Sequence, residues 1–232
     1  MNMTSKRLLI SFALVVSVGA AAEPTLNGGT WQAVDPPQAL RTVQGKEPPL
    51  LPQARAIYQQ NIAARKAGKL DFDGTEKCLA PGIPRLLTMT PGAFEFLQRP
   101  EQIVMTYEWN RLVRVIDMNV PQHEPAGPTY AGQSVGRWEG NTLVIDSVGF
   151  NDTTLLDNTG LPHSDQLHVI ERYTPSADGK GMTARITVED PKTFSKPWDT
   201  TLTFKHDPKG QIREDVCLER KAINWGRQRE GT

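Results

Sequence analysis

Hydrophobic and polar residues alternate along most of the chain after residue 100. Successive side chains of a strand point to opposite faces, so this period predicts half-buried β-strands. Turn segments rich in Gly, Asp and Asn separate the runs, which favours hairpins between antiparallel neighbours. The predicted strands cover residues 103–109, 112–117, 133–138, 142–148, 167–173, 182–190, 200–206 and 212–218. Eight strands in one meander are enough to close a β-barrel.

A helical pattern precedes these strands. Pro52 suits the first position of a helix, and apolar residues recur at helical spacing until Gly68, a typical C-terminal cap. We therefore expect one helix over residues 52–67. Repeated Pro and Gly with few apolar residues favour an extended lead-in over residues 23–51. The expected architecture is one mainly β domain over residues 52–220, with a C-terminal tail at 221–232.

The first 22 residues have the features of an export signal. Lys6 and Arg7 precede an apolar run, and small residues occupy positions 19–22. The apolar run is shorter than the ~20 residues that span a bilayer, which argues against a membrane anchor. We predict a signal peptide over residues 1–22, no membrane span in the mature chain, and a periplasmic or secreted location.

The chain contains two cysteines, Cys78 and Cys217. An oxidising compartment favours disulfides, and two cysteines permit one intramolecular pairing. We predict a disulfide that ties the N-terminal region to the last predicted strand. A thiol nucleophile is the weaker alternative, because neither cysteine has neighbours that mark it as activated.

Charge and composition exclude several classes of function. The chain has 26 basic and 26 acidic residues, and loss of Lys6 and Arg7 with the signal would leave a slight acidic excess. This balance argues against a protein that binds nucleic acid or an anionic membrane. Phosphate-binding loops of the Walker or Gly-x-Gly-x-x-Gly type are absent from the sequence, so no nucleotide or other cofactor is expected. The oligomeric state cannot be read from these residues.

Polar residues are dense between residues 151 and 172, and such loops often carry function. We predict His163 as the general acid or base, with Asp165 or Glu171 orienting its ring. The alternative is that His163 starts a strand while Asp165 bonds to nearby backbone. Glu171 falls on an apolar face of its strand and therefore needs a cationic or hydrogen-bonding partner inside the barrel. No metal site is predicted, because His163 and His168 lack the spacing of zinc ligands.

Aromatic and cationic side chains provide candidate ligand contacts. Trp138 offers a flat apolar face, and Arg137 offers a fork for a carboxylate or phenolate. Arg172 is a further candidate to stabilise negative charge. Tyr107 and Trp109 add apolar surface for a ligand cavity, although they would equally fill a solid barrel. The alternative interpretation anchors Trp138 in the core and pairs Arg137 at the surface.

Several segments form a recognisable combination. They are the stretch from Gly132 to Asp146 that contains Gly136-Arg137-Trp138-Glu139-Gly140, the segment His163-Ser164-Asp165-Gln166-Leu167 with Glu171-Arg172, the segment from Cys78 to Arg85, and the pairs Asp190-Pro191 and Pro197-Trp198. Together they resemble a family of uncharacterised secreted bacterial proteins, a resemblance that implies no settled activity. The chain departs from the family pattern at Asn141, where an acidic residue is usual, and over residues 117–125, where an Asp-Gly-Arg turn is absent. The meander is also similar in outline to a lipocalin-like barrel, a likeness of architecture alone.

Two classes of function fit these observations. In the first, the barrel encloses a small apolar or aromatic molecule and acts on it by cofactor-free acid-base chemistry, as an isomerase, lyase or cyclase. In the second, the protein binds or carries such a molecule without chemistry. A structural partner of the envelope is a third interpretation, which would present an exposed apolar patch instead of a cavity.

Overall fold

The computed structural model describes residues 25–121, 123 and 127–230. The predicted signal peptide at residues 1–22 lies outside them. Two helices and nine strands are present in the described part of the chain. The helices are α1 (Pro52–Lys66) and α2 (Cys217–Glu230). The strands are β1 (Thr30–Ala33), β2 (Ala93–Gln98), β3 (Gln102–Tyr107), β4 (Val113–Met118), β5 (Gln133–Glu139), β6 (Thr142–Val148), β7 (His168–Pro175), β8 (Gly181–Glu189) and β9 (Trp198–Asp207).

The nine strands close into one barrel in chain order, because β1 pairs with β9 as well as with β2. Eight of the nine pairings are antiparallel, as expected for a meander. The exception is the parallel pair of β4 and β5. A parallel pair cannot be joined by a tight hairpin, and residues 119–132 form the long connection that it needs. The predicted barrel and N-terminal helix are confirmed.

The outcome differs from the prediction at three strands. Residues 30–33, predicted as part of an extended lead-in, form β1, and β2 was also missed. Residues 212–218, predicted as the last strand, lie outside the sheet, and α2 begins at Cys217. The physical reason is that β1 already occupies the free edge of β9, so a further strand has no edge to pair with. Leu218, at the end of this run, is accordingly 70% exposed.

The barrel interior is filled by inward side chains of alternating positions. Ala184, Ile186 and Val188 of β8 are buried, as are Phe94 and Phe96 of the missed strand β2. Phe94 contacts Phe96, Tyr107 and Phe204, and Tyr173 contacts Phe96 and Phe204. This aromatic cluster makes one part of the barrel a packed core.

The predicted disulfide between Cys78 and Cys217 is present, with 5.7 Å between the Cα atoms. It joins the loop after α1 to the start of α2, and not to a strand as predicted. Lys221 of α2 also pairs with Glu76 at 2.5 Å. Part of the predicted C-terminal tail is therefore helical and attached to the rest of the domain. Neither helix of the described residues is long and apolar enough to cross a membrane.

Candidate functional site

The parallel junction of β4 and β5 opens a groove in the barrel wall. The paired residues cover the end of β4 and the beginning of β5, namely Ile116 with Ser134, Asp117 with Val135 and Met118 with Gly136. Val113, Arg114 and Val115, the first half of β4, lie outside this pairing. The resulting groove has a volume of about 530 Å³, within the range of about 300–1,000 Å³ that is common for small-molecule sites.

The walls of this groove are largely apolar. Val113 and Val115 of β4 contribute side chains that are 59% and 45% exposed, an unusual degree of exposure for two neighbouring valines. The opposite wall comes from residues 129–135, and the end wall comes from residues 80–86. Asp117 and His123 contribute polar groups to the lining, which also includes the buried residues Arg114 and Ser134. The groove is thus largely apolar with a few polar groups.

Arg114 belongs to a buried hydrogen-bonded cluster inside the barrel. Its Nε donates to Ser134 Oγ at 3.0 Å, and its Nη2 donates to Ser147 Oγ at 2.7 Å and to Glu171 Oε2 at 2.5 Å. Tyr173 donates its hydroxyl to Glu171 Oε1 at 2.6 Å. Both charged side chains are almost completely buried, at 2% and 0% exposure. The prediction that an inward Glu171 needs a cationic partner agrees with this pair.

One nitrogen of this cluster has no acceptor. Arg114 Nη1 is buried and lacks a hydrogen-bond partner among the described residues. Burial is the largest influence and by itself would lower the pKa of Arg114, but the Glu171 carboxylate and the neighbouring groups together raise that pKa. The guanidinium is therefore charged, and the Tyr107 hydroxyl also interacts with it.

Tyr107 lies near the same guanidinium. Its hydroxyl donates to Met105 Sδ at 3.4 Å, a weak acceptor. Burial raises the pKa of Tyr107, and burial also raises that of Tyr173, with the Glu171 charge adding to the effect. Both phenols are consequently neutral donors at neutral pH.

His163 lies one layer behind the groove. Gly82, which lines the groove, packs closely on Thr154: a Cβ placed on Gly82 would lie 2.7 Å from Thr154 Oγ1. The same Oγ1 lies 2.6 Å from His163 Nε2. His163 Nδ1 lies 2.9 Å from the Ser164 carbonyl oxygen, so this nitrogen carries the proton and Nε2 accepts from Thr154. Burial lowers the pKa of His163, which favours the neutral ring. Both nitrogens of the predicted acid-base residue are therefore engaged by the protein.

The groups predicted to assist His163 lie elsewhere. Asp165 is exposed, and its Oδ1 accepts from Lys192 Nζ at 2.7 Å. Ser164 and Thr154 orient the ring of His163, the role that was predicted for Asp165 or Glu171. Most of the polar density of residues 151–172 serves loop structure: Asp157 alone accepts from the backbone N–H groups of Leu40, Thr159, Gly160 and Leu161.

The predicted ligand contacts are dispersed as well. Arg137 is half exposed and pairs with Glu139, while Trp138 is partly buried against the core, as the alternative interpretation had it. Arg172 sits across from Arg185 on the neighbouring strand and interacts with Asp199. Trp109 is buried in a short 3-10 turn, with the guanidinium carbon of Arg220 at 5.7 Å from its ring centre. Of the predicted set, Glu171 and Tyr107 are the two that meet, through Arg114.

The end wall of the groove is held by a second buried network. Arg85 donates to both oxygens of Asp73, at 2.8 and 2.7 Å, and to Asn158 at 2.9 Å. Burial is the largest influence and would raise the pKa of Asp73, but the hydrogen bonds and charge of Arg85, with hydrogen bonds from Thr75 and Arg65, together hold that pKa well below its ordinary value. Arg85 closes the Cys78–Arg85 segment singled out by the sequence, so part of that segment's role is to fix this wall.

Two histidines share one carboxylate on the outer face near the groove rim. The Nε2 atoms of His123 and His168 lie 2.9 and 3.0 Å from Asp146 Oδ1, within hydrogen-bond distance. His168 Nδ1 lies 3.2 Å from Glu189 Oε2. The bond from His168 lowers the pKa of Asp146 to about 2, and the same bond raises the pKa of His168. The structure shows no group of three or more His, Cys, Asp or Glu arranged to hold a metal ion within the described residues.

A larger cleft, of about 690 Å³, is lined by residues of β1 and β9 and by the segment that follows β9. Its lining is mostly exposed and polar, with Lys205, Lys209 and Arg213 as examples. Such a surface provides little apolar area to hold a ligand. The groove at β4 and β5 is the better candidate because its walls are largely apolar.

The sequence-based reasoning missed Arg114. The residue alternates with Val113 and Val115, so the two faces of β4 could not be ranked by hydrophobicity alone. Glu171 was the signal that could have led to Arg114, because an inward carboxylate requires a cation. Arg114 lies in a predicted strand and shares a face with the buried Ile116.

No protein-family model matches the chain, and no curated protein matches it. The resemblance to a secreted bacterial family stays a prediction.

Proposed function

We propose that this protein is an exported binding protein for a small apolar or aromatic molecule, held in the groove between β4 and β5. The observation that carries the proposal is the apolar lining of the groove, in which Val113 and Val115 are exposed. Ligand sites commonly pair an apolar lining with a few polar groups that fix orientation. A bound ligand would cover the exposed valines 113 and 115.

Binding is favoured over catalysis by the state of His163. A proton shuttle needs a ring nitrogen that reaches the ligand, and both nitrogens of His163 bond to protein atoms. The lowered pKa of His163 also disfavours the protonated state that a general acid requires. Acid-base catalysis by His163 with Asp165 or Glu171 is therefore the second hypothesis, with less support than binding.

Export is supported by two features of different origin. Residues 1–22 carry the charged, apolar and small-residue pattern of a secretory signal. The disulfide between Cys78 and Cys217 is of a kind that persists in oxidising compartments. The proposed site of action is the periplasm or the exterior of the cell.

A fluorescence titration with N-phenyl-1-naphthylamine, an uncharged aromatic probe, tests the proposal. We expect saturable binding at one probe per chain. Val115→Asp should weaken binding at least tenfold, because it places a charge on the apolar wall. Val34→Asp is the matched control, since Val34 is 44% exposed and lies outside the groove. Absence of saturable binding, or equal weakening by the two variants, would contradict the proposal.

A further inference from the structure

Strand β4 has an open edge beside the groove. Its pairing with β5 covers residues 116–118, so residues 113–115 have no strand partner on that side within the described part of the chain. Sheet edges are usually protected by Lys, Pro or a covering segment, because unpaired backbone groups attract further strands. The open edge of β4 carries two exposed valines instead, Val113 and Val115.

The hydrogen bonds to β3 show which backbone groups are free at this edge. Met118 N–H donates to the Glu101 carbonyl oxygen, which places the backbone groups of the even-numbered residues of β4 against β3. Alternate residues of an antiparallel pair direct their N–H and C=O groups to opposite sides. The N–H groups of Val113 and Val115 therefore point away from β3, toward the groove that both residues line.

The shape of the groove favours an isolated strand at this edge. Residues 129–132 line the groove from the other side, so a strand paired with β4 would have this chain on both of its sides. A strand of a folded partner, or of a second copy of this chain, has its own sheet neighbour on the side away from β4. That neighbour would collide with residues 129–132, whereas an extended peptide has no such neighbour.

The outer face of the sheet indicates which side chains the peptide would carry. Leu97, Val104 and Val115 lie opposite one another on β2, β3 and β4 and form an apolar row across the three strands. Leu97 and Val115 are 48% and 45% exposed. A strand added beside β4 would place its own outward side chain next in this row, where an apolar β-branched residue pairs best.

Charge adds a second element of recognition. Asp117 lies on the same outer face of β4 as the two valines and is exposed. Its Oδ1 accepts from the Gln102 side-chain amide at 3.2 Å, and no ion pair involves it within the described residues. Arg114, the other permanently charged residue of the lining, is neutralised by Glu171. A basic side chain on the peptide would therefore complement the groove.

We infer that the open edge of β4 binds an extended peptide as an added strand, with an apolar side chain beside Val115 and a basic side chain near Asp117. The inference goes beyond the proposed function, which concerns the apolar walls and not the backbone of β4. The apolar side chain of the peptide would lie against the same walls, so a bound peptide excludes a small apolar ligand.

The test uses a synthetic peptide, fluorescein-Ser-Thr-Val-Thr-Val-Lys-Ser-amide, titrated by fluorescence anisotropy. We expect saturable binding at one peptide per chain and displacement of bound N-phenyl-1-naphthylamine. Two N-methylated forms are the matched controls, one methylated on alternate residues and the other on the residues between them. Both retain every side chain. Because alternate N–H groups point to the same side, one form should bind about tenfold more weakly than the other.

Val113→Pro removes the N–H that points into the groove and keeps an apolar side chain. Leu112 has φ −69° and ψ 146°, an extended conformation that a following proline accepts. We expect Val113→Pro to weaken peptide binding about tenfold and to change naphthylamine binding by less than about twofold. Val113→Thr, which keeps the N–H, should bind the peptide as the wild type does. The methylated peptides decide the inference even where the proline variant does not fold.

Asp117→Asn tests the charge. It should weaken the lysine peptide about threefold, as an exposed ion pair provides, and leave a norleucine analogue unchanged. Equal effects on the two peptides overturn the basic side chain as part of the recognition.

The outcomes separate the added strand from the proposed function. Equal binding of the two methylated forms overturns the added strand, and so does equal binding by the wild type and Val113→Pro. Absence of peptide binding overturns it as well, while a bound naphthylamine probe leaves the proposed function intact. A dimer that Val113→Pro dissociates in sedimentation analysis would place a second copy at the edge and overturn the inference. Loss of probe binding alone overturns the proposed function.

Discussion

Neutralising Glu171 tests whether the buried ion pair is organised as described. Glu171→Gln keeps the size of the side chain and leaves an oxygen that can accept from Tyr173. It removes the charge opposite Arg114, whose side chain is 2% exposed. The buried guanidinium is then left without a counterion.

The expected cost follows from that burial. Removing one partner of a buried pair typically costs about 3–5 kcal/mol. For a chain of this size, about 2–4 °C of melting temperature is lost per kcal/mol, which gives a drop of about 6–20 °C. Glu139→Gln removes the same charge from the Arg137 pair, whose side chains are 51% and 47% exposed. Exposed pairs contribute about 0–1 kcal/mol, so this control should be nearly silent.

The assay is thermal and urea unfolding at pH 7, followed by circular dichroism. The urea midpoint of Glu171→Gln should fall at an unchanged slope, which reports a loss of stability without a change in the surface exposed. Arg114→Met/Glu171→Gln should recover part of the loss, because neither charge remains buried alone. Equal stability of Glu171→Gln and Glu139→Gln would refute the reasoning.

Two further predictions concern the disulfide and the histidines. Cys78→Ser should lower the free energy of unfolding by about 2–5 kcal/mol, as measured by urea denaturation under non-reducing conditions. A decrease below about 1 kcal/mol would mean that the disulfide to α2 adds little stability. In an NMR titration, His163 should titrate below 6.5 because of burial and His168 above 6.5 because of Asp146; the reverse order would show that these environments are wrongly assigned. The lowered pKa of His163 contributes folding stability that is fully present above about pH 6.5 and is lost as the pH falls. The raised pKa of His168 has the opposite effect: its contribution is fully present below about pH 6.5 and is lost as the pH rises through the folded-state pKa. His163→Gln should therefore lose less stability than the wild type between pH 7 and pH 5.

Alternation predicted the strands whose faces differ clearly in polarity. On β8, Ala184, Ile186 and Val188 face inward and are fully buried, as the period of two requires. The helix α1 was equally accessible, because Pro52 marks its start. These elements are specified locally, so a single sequence is enough to place them.

The missed elements depend on partners distant in sequence. β1 has four residues between turn-forming segments, and its place is set by pairing with β9, which begins at Trp198. The run 212–218 has an alternating pattern, yet no sheet edge is left for it. Local patterns do not report which edges are free.

Local patterns predicted only part of the candidate site. The inward direction of Glu171 followed from its strand, and the need for a cation followed from electrostatics. The identity of that cation as Arg114, 57 residues earlier, required the barrel's order of strands. The groove itself depends on the parallel pairing of β4 with β5, which no local pattern predicted.

The most direct test of the account is to map bound N-phenyl-1-naphthylamine by NMR on the ¹⁵N-labelled protein. We predict saturable shifts of the backbone amides of Val113, Val115 and residues 131–135, which line the groove. Amides of β8 should be unaffected. Shifts confined to the cleft at β9 and the segment that follows it, around Lys205 and Lys209, would contradict the assignment of the groove as the ligand site.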